Sequence, residues 1–439
     1  MAGRLSPPRD PVTFTLDGER IVAERGEPVA AALVAAGKST LARSPKFHRP
    51  RGPACMRAAC DGCLARVNGA PNVMTCMVPA EEGLEVTTQN SLGSREVDLL
   101  RVTDWFFPDG MNHHELFAGI PGAQAAVLAF AGRVAGLGQL PDVGRATTPS
   151  ARRQVEVLVV GGGPAGMAAA TAAASRGLRV EVVDDALTPG GGARGLGVAS
   201  GSALAAVRDG FDRAVAEGRV RMRSRTIAAG VFGRDVIVVE PDGGGRAEVL
   251  EPRALIIAAG AHDGGVPFEN NDSPGVMSAR AACLLVASGV SPGDSVVLLV
   301  PPGAPRDPRE LTFGDAFERV MRTPPGGGPP PRVTRVEEVV AAKGSSGLRA
   351  VVVRSGGEER SLPADALLVD AVRAPAYELC EQAGATLTHG PAGYAPVVDR
   401  GRIAEATWAI GEVTGAPLIV EEFVRAAAEI AEQLASPVA

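Results

Sequence analysis

The sequence predicts an α/β protein of layered strands and helices, and three observations predict it. Glycine (55) and proline (35) make up more than a fifth of the 439 residues, while Phe, Trp and Tyr number only 12, 2 and 2. Hydrophobic residues still reach 45%. A core of Ala, Val and Leu threaded by many tight turns suits α/β layers better than a helical bundle or a disordered chain. The second observation is a pair of short hairpin signals ahead of Thr75. The third is an apolar strand that runs into a glycine turn and an Ala-rich helix around residue 160. The length suits about three domains of ordinary size.

Charge and hydropathy narrow the function classes. The net charge of −6 argues against a general binder of nucleic acid or anionic membrane. The best apolar run, residues 125–138, is too short to span a bilayer and carries Arg133. Residues 1–8 have no apolar h-region, so a cytoplasmic protein without a membrane span is expected.

The first domain is expected over residues 1–95. Val12, Phe14 and Leu16 alternate with polar residues, Asp17-Gly18 supplies a turn, and Ile21-Val22 return as the partner strand. Pro28 sits where a first helical residue belongs, an Ala/Val run follows, and Gly37 is placed to end that helix. Asn68-Gly69 marks a second hairpin between Leu64-Ala65-Arg66-Val67 and Val73-Met74. Hairpin-rich and crossed by one helix, this is the outline of a β-grasp domain.

Four of the six cysteines crowd into this domain. Cys55, Cys60 and Cys63, with Cys76 beyond, read C-x4-C-x2-C plus a distal cysteine, the plant-type spacing for a [2Fe–2S] cluster. Three thiolates come from a tight loop, and a strand past the hairpin brings back the fourth. Gly52 and Gly62 let the loop backbone come close and turn N–H groups toward sulfur. Zinc is the competing metal, although zinc sites more often use two C-x2-C pairs. The stretch Arg43-Ser44-Pro45-Lys46-Phe47-His48-Arg49-Pro50-Arg51, with Arg57, places five cations and no acid beside the loop. It reads as a solvated loop, a docking face, or an anchor for a cofactor phosphate.

A helical connector is expected over residues 96–151, containing one odd polar pair, His113-His114, read as a packing or helix-start feature. A nucleotide fold follows over residues 152–290 and 371–439. Its first strand, Val155-Glu156-Val157-Leu158-Val159-Val160, enters Gly161-Gly162-Gly163-Pro164-Ala165-Gly166, then a helix, then a strand ending at Asp184. Gly161 permits the tight turn, Gly163 lets backbone reach a pyrophosphate, and Gly166 lets the helix approach the strand. Pro164 and Ala165 open the helix whose N-terminus faces the phosphates, and Asp184 is placed for adenosine ribose hydroxyls, disfavouring NADP. FAD is expected here, with NAD and ATP fitting the same motif.

A shortened second nucleotide fold is expected over residues 291–370. Its strand, Asp294-Ser295-Val296-Val297-Leu298-Leu299-Val300, is followed by Pro301-Pro302-Gly303-Ala304-Pro305, with prolines where N–H donors are needed. Standard NAD(P)H binding is therefore not expected. Cys283 and Cys380 stand alone, without a C-x-x-C partner, and read as buried small residues rather than as a reductase dithiol. No hydrolase triad or metalloprotease motif appears, and the catalytic residues stay unknown.

From the glycine turns onward the chain resembles the flavoproteins with two dinucleotide-binding domains. That resemblance implies flavin contacts at Gly191 and Gly192, at Ala259 and Gly260 closing the first nucleotide fold, and at Gly411 and Glu412, the terminal glycine-acid pair facing the ribityl chain. Ala259 stands where that family has Thr and Glu412 where it has Asp. The fold class is thus a β-grasp [2Fe–2S] ferredoxin-like domain followed by a two-dinucleotide-binding-domain, Rossmann-like fold.

The order of parts, with Pro274-Gly275-Val276-Met277, resembles the N-terminal half of the alpha subunit of heterotetrameric sarcosine oxidase. It also resembles a fusion of the small and large subunits of hydrogen cyanide synthase and of opine, proline and hydroxyproline dehydrogenases. The resemblance implies an electron-transferring alpha-type subunit that passes electrons from a partner's flavin, through its own FAD and cluster, to an unspecified acceptor. It implies a smaller FAD-dependent amine or amino-acid oxidase-type beta subunit, further small subunits in some complexes, and an FMN at an interface in some members. Within these residues the folate-binding half of sarcosine oxidase and the cysteine-rich module of the opine chains have no counterpart. Two other readings compete: a self-contained NADH-dependent FAD/[2Fe–2S] reductase, and a non-catalytic assembly subunit with a structural nucleotide.

Overall fold

Both hairpins form at the expected turns in the computed structural model of the chain. Asp17 and Gly18 take φ of 50° and 83°, and Asn68 and Gly69 take 47° and 80°, the twist that lets two residues join antiparallel strands. The structure describes residues 3–44, 48–89, 91, 94–95, 97–99, 119–126, 129, 150–197, 199, 201–241, 245–303 and 307–435. Most of the expected connector, including His113-His114, and also Pro45, Lys46, Phe47, Ala304 and Pro305, lie outside them.

The described residues fall into two units, one from residues 1–144, 266–301 and 321–369, the other from residues 145–265, 302–320 and 370–439. The first contains a five-stranded sheet in the order Glu19–Glu24, Pro11–Leu16, Glu85–Thr87, Leu64–Val67, Ala70–Met74. Val12, Phe14 and Leu16 face its core, as their alternation requires. The helix Val29–Ala35 crosses the sheet and buries its first six residues. Pro28 is the N-cap rather than the first helical residue, with ψ at 129°. A bridge to Pro79 holds it extended, so the helix begins one residue late. Gly37, at φ 76°, ends it as expected.

The same unit holds a four-stranded parallel sheet, ordered Val276–Ser278, Ala366–Val369, Ser295–Leu299, Arg332–Val336. Its first strand lies ahead of residue 291, the expected start of this fold. Val276 and Met277 are buried by pairing with Leu367 and Leu368, so the stretch from residue 266 folds with this sheet. Conversely, residues 302–320 belong to the other unit.

That second unit is a nucleotide-type layer. Val220–Arg223, Val180–Val183, Ala151–Val160, the C-terminal part of Arg246–Ile257, and Thr407–Ala409 run parallel in that order. The helix Pro164–Ser175 is two-thirds Ala and Gly and buried around most of its circumference. It packs on the sheet and against Val420–Ala435. Such close approach needs small side chains on both sides of the contact.

One polar cluster staples the sheet strands. Glu181 accepts from Arg153 and, at 3.0 Å, from Arg223, which also reaches Glu248 and Glu240 at 2.7 Å each. Burial alone pushes the Glu181 carboxyl up, but Arg153 and Arg223 outweigh it and hold it below its ordinary value. A lowered folded-state value stabilises above the ordinary carboxylate range, and that stability is lost as pH falls through it. Glu181→Gln should therefore lose about 1–3 kcal/mol at neutral pH. Its denaturant midpoint should also drop less than the parent's between about pH 5 and pH 3.

Candidate functional site

The cluster loop is built by backbone strain. Met56 and Ala58 take left-handed φ of 54° and 59°, which costs a non-glycine residue about 1–2 kcal/mol each. The consequence is that successive N–H groups turn inward as a nest. Arg57 N and Ala59 N donate to Cys55 Sγ at 3.4 and 3.3 Å, and Ala58 N to Cys76 Sγ at 3.4 Å. Gly62 N donates to Cys60. A Cβ on Gly62 would lie 2.0 Å from the Gly52 carbonyl, and one on Gly52 2.7 Å from the Ser39 carbonyl. Backbone is on both sides, so neither glycine is replaceable.

The four thiols meet in a chain of contacts, Cys60 to Cys55 to Cys76 to Cys63. Cys55 is drawn down to about 2 by the Cys60 and Cys76 thiols and the loop N–H groups. Cys63 is lowered by Cys76, while Cys60 and Cys76, as the donors, are raised. Cys55, Cys63 and Cys76 are buried and Cys60 is half-exposed. Among the described residues no three His, Cys, Asp or Glu side chains are arranged around a single ion. A string of four sulfurs met by N–H donors fits an elongated two-iron group better than one zinc ion.

The basic stretch beside the loop is not simply solvated. Arg43 is buried, donating to the Arg95 carbonyl at 2.6 Å and the His48 carbonyl at 3.0 Å. Buried His48 lies 3.0 Å from Asp98. Arg51 pairs with Asp272 at 2.8 Å, and Ser278 N donates to the Ala54 carbonyl at 2.9 Å. Arg51 and the Ala54 carbonyl thus tie the cluster loop to residues 272–278, which bear the parallel sheet's first strand. Long-range partners of this kind leave no mark in local spacing.

All twelve residues expected to bind a nucleotide lie in the second unit, most of them at the C-terminal ends of its parallel strands. A Cβ on Gly161 would lie 2.3 Å from the Ala258 carbonyl, and one on Gly166 1.9 Å from the Gly161 carbonyl. Gly190 N donates to the Gly162 carbonyl at 2.7 Å, and a Cβ on Gly191 would be 3.3 Å from Gly163 Cα. The second glycine turn, which includes Gly192, thus lies beside the first. Gly411 presses on Ala165, with Cβ–Cβ at 2.6 Å if a side chain were added. Ala259 and Gly260 follow the strand Arg246–Ile257, Gly260 with φ 77°.

Gly163 differs from its neighbours. It caps Pro164–Ser175, and a Cβ there would meet nothing within 4 Å. Its absent side chain leaves room for something outside the chain, in front of a helix N-terminus with no acid in its first turn. That is the cradle a pyrophosphate needs. Asp184 is buried and accepts from Gly162 N at 2.5 Å and Ala186 N at 2.9 Å. Burial and neighbouring Asp185 raise its carboxyl above the ordinary value despite those N–H groups and Arg194. Half-buried Arg194, donating to Thr188 Oγ1 at 2.5 Å, is not signalled by the motif.

Glu412 is not turned freely toward a ligand. Its Oε1 accepts from Arg373 Nε at 2.6 Å, and both side chains are largely buried. Arg373 carries no sequence signal because it pairs only through folding. The segment that follows the strand Ser295–Leu299 in sequence belongs, over residues 302–320, to the second unit. Its helix Phe313–Met321 has Asp315 in the first turn, and Gly314 N donates to Asp370 at 3.2 Å. Cys283 and Cys380 are buried as expected, Cys380 pushed up to about 12 by burial and Glu378.

Residues 9–91 match a 2Fe-2S iron-sulfur cluster binding domain, and residues 155–294 a pyridine nucleotide-disulphide oxidoreductase domain. The chain is 28% identical over 396 residues to the alpha subunit of sarcosine oxidase from Rhizobium meliloti, covering 81% of this chain and 39% of the relative. It is 29% identical over 309 residues to a subunit of opine oxidase from Agrobacterium tumefaciens, covering 57% and 59%. The chain therefore spans less than two thirds of either relative. The crystal structure of L-proline dehydrogenase from P. horikoshii shares its fold, with a TM-score of 0.71, 20% identity, and coverage of 99% of this chain and 76% of that one. An oxidoreductase chain of α/β fold, with a [2Fe–2S] cluster and FAD as cofactors, follows from these matches. Among the described residues no helix is long and apolar enough to cross a membrane.

Proposed function

We propose that this chain is the electron-transferring, alpha-type subunit of a flavin-dependent amine or amino-acid dehydrogenase or oxidase complex, working in the cytoplasm with a smaller oxidase-type beta subunit. One observation carries the reading. A thiol quartet lined by N–H donors and a dinucleotide cradle occur in one chain, while Pro301, Pro302 and Pro305 follow the second nucleotide fold's strand, where N–H donors would be needed. Relatives named as subunits of sarcosine and opine oxidases support the complex and the substrate class.

In this reading Cys55, Cys60, Cys63 and Cys76 hold the cluster. Residues 161–166, Asp184, residues 190–192, Ala259, Gly260, Gly411 and Glu412 form the FAD cradle. The cofactors, when bound, supply two-electron to one-electron conversion. The chain's own part is to seat phosphates on the helix N-terminus, keep Asp184 at the ribose, and shield three thiolates from water.

The test is the composition of the intact complex, with flavin, iron and sulfide counted per chain. Co-purification with a second flavoprotein chain, and one cluster on this one, is expected. A purified chain that alone oxidises a range of amines at useful rates would overturn the reading. NADH mixed with the oxidised chain in a stopped-flow cell should leave the flavin band unbleached, because Pro301, Pro302 and Pro305 stand where its phosphates need N–H donors. Rapid bleaching would instead favour a self-contained reductase.

A further inference from the structure

Arg373 is a second largely buried arginine of the FAD-side unit that gathers carboxylates around it. Its guanidinium donates to Glu412 at 2.6 Å and to Glu310 at 3.4 Å, and lies 5.1 Å from the centre of the Phe313 ring. Arg373, Glu412 and Glu310 side chains are 9%, 13% and 15% exposed. Burial works against the charge on Arg373, but Glu412, Asp370 and Glu310 outweigh it and raise its pKa. One buried cation thus serves three carboxylates. Two of its partners, Glu310 and Phe313, come from the segment that follows the second nucleotide fold's own strand.

Glu412 opens the turn Glu412–Thr414, which is closed by Thr414 N and Oγ1 donating to the Gly411 carbonyl at 3.0 and 2.8 Å. Gly411 in turn packs on Ala165 at the head of the phosphate-facing helix. The position of Glu412 and the shape of the dinucleotide cradle are therefore mechanically linked. The extra methylene of Glu over Asp lets the carboxylate reach Arg373. Arg suits this place because its rigid fork meets Glu412 and Glu310 at once, which a lysine ammonium on a flexible stem does not.

We propose that Arg373 is a positioning residue for the flavin: with Glu310 and Phe313 it clamps Glu412, and so holds the Gly411 turn against residues 161–166. This rests on the FAD reading of that cradle. Glu310 and Phe313, which follow the second fold's strand in sequence, thus help to shape the first fold. A charge-paired Glu412 is also a weaker acceptor for ribityl hydroxyls than a free carboxylate, so its contribution to binding is through the shape of the turn.

The test is a double-mutant cycle on the full chain, stripped of flavin and titrated with FAD by fluorescence quenching. Arg373→Met and Glu412→Gln should each weaken FAD binding about tenfold or more, and the double variant no more than the worse single one. Arg373→Lys keeps the charge without the fork and should fall between parent and Arg373→Met; it also serves the cycle if the Met variant does not fold. Thermal midpoints of the flavin-free proteins separate loss of the clamp from general destabilisation. Losses that add in the double variant, or parent-like FAD affinity in Arg373→Met, overturn the clamp. A parent chain that takes up no FAD at all overturns the cradle reading and the clamp with it, whereas the cycle's additivity touches the clamp alone.

Discussion

Cys76→Ser in the full chain is expected to remove the cluster while leaving FAD in place. Of the four cysteines proposed as ligands, Cys76 is the one from outside the tight loop, carried back by the hairpin strands Leu64–Val67 and Ala70–Met74 into the turn Thr75–Met77. Its sulfur is the middle link between Cys55 and Cys63, and it takes the Ala58 N–H. A serine oxygen is a harder, shorter ligand than a thiolate and leaves one iron poorly held. Iron and acid-labile sulfide should drop from about two each per chain to a small fraction of that, with the visible absorption and EPR signal lost. Because the FAD cradle lies in the other unit, flavin content should stay within about a fifth of the parent's. Cluster retention at parental levels would show that Cys76 is not a ligand.

Gly166→Ala should have the converse effect, a loss of FAD with the cluster intact. The added Cβ would fall 1.9 Å from the Gly161 carbonyl oxygen and 3.4 Å from Ala258 Cβ. No flexible side chain stands there to move aside, so the helix Pro164–Ser175 must shift away from the strand and take its N-terminus with it. FAD affinity should fall about a hundredfold or more, since pyrophosphate contacts at a helix N-terminus depend on close approach. Gly210→Ala is the matched control. Gly210 lies inside the helix Ala203–Ala216, and its Cβ would make an ordinary 3.6 Å contact with Thr171. That variant should bind FAD normally and gain about 0.5–1 kcal/mol from helix propensity. Equal FAD affinities in the two variants would contradict the account of the turn.

Local signals carried most of what was legible in the sequence. Asp17-Gly18 and Asn68-Gly69 specify their turns by backbone chemistry alone. The cysteine spacing and the strand–turn–helix around residues 161–166 each bring their parts together over short stretches. What was not legible depends on partners far along the chain. Pro28 stays outside its helix because Pro79 bridges it. Val276–Ser278 becomes a strand only because the distant Ala366–Val369 pairs with it. Arg43 looks like a surface cation until the Arg95 and His48 carbonyls enclose it. Glu412 has the right place in the motif, but the direction of its carboxylate is decided by Arg373.

The most direct test of the central claim is EPR of the cluster in the assembled complex, frozen during anaerobic turnover of its amine substrate. The account predicts a reduced-cluster signal that appears on substrate addition and is absent when this chain is given the substrate alone. A cluster that stays oxidised throughout turnover, although dithionite can reduce it, would contradict the account and leave the cluster as a staple of the fold.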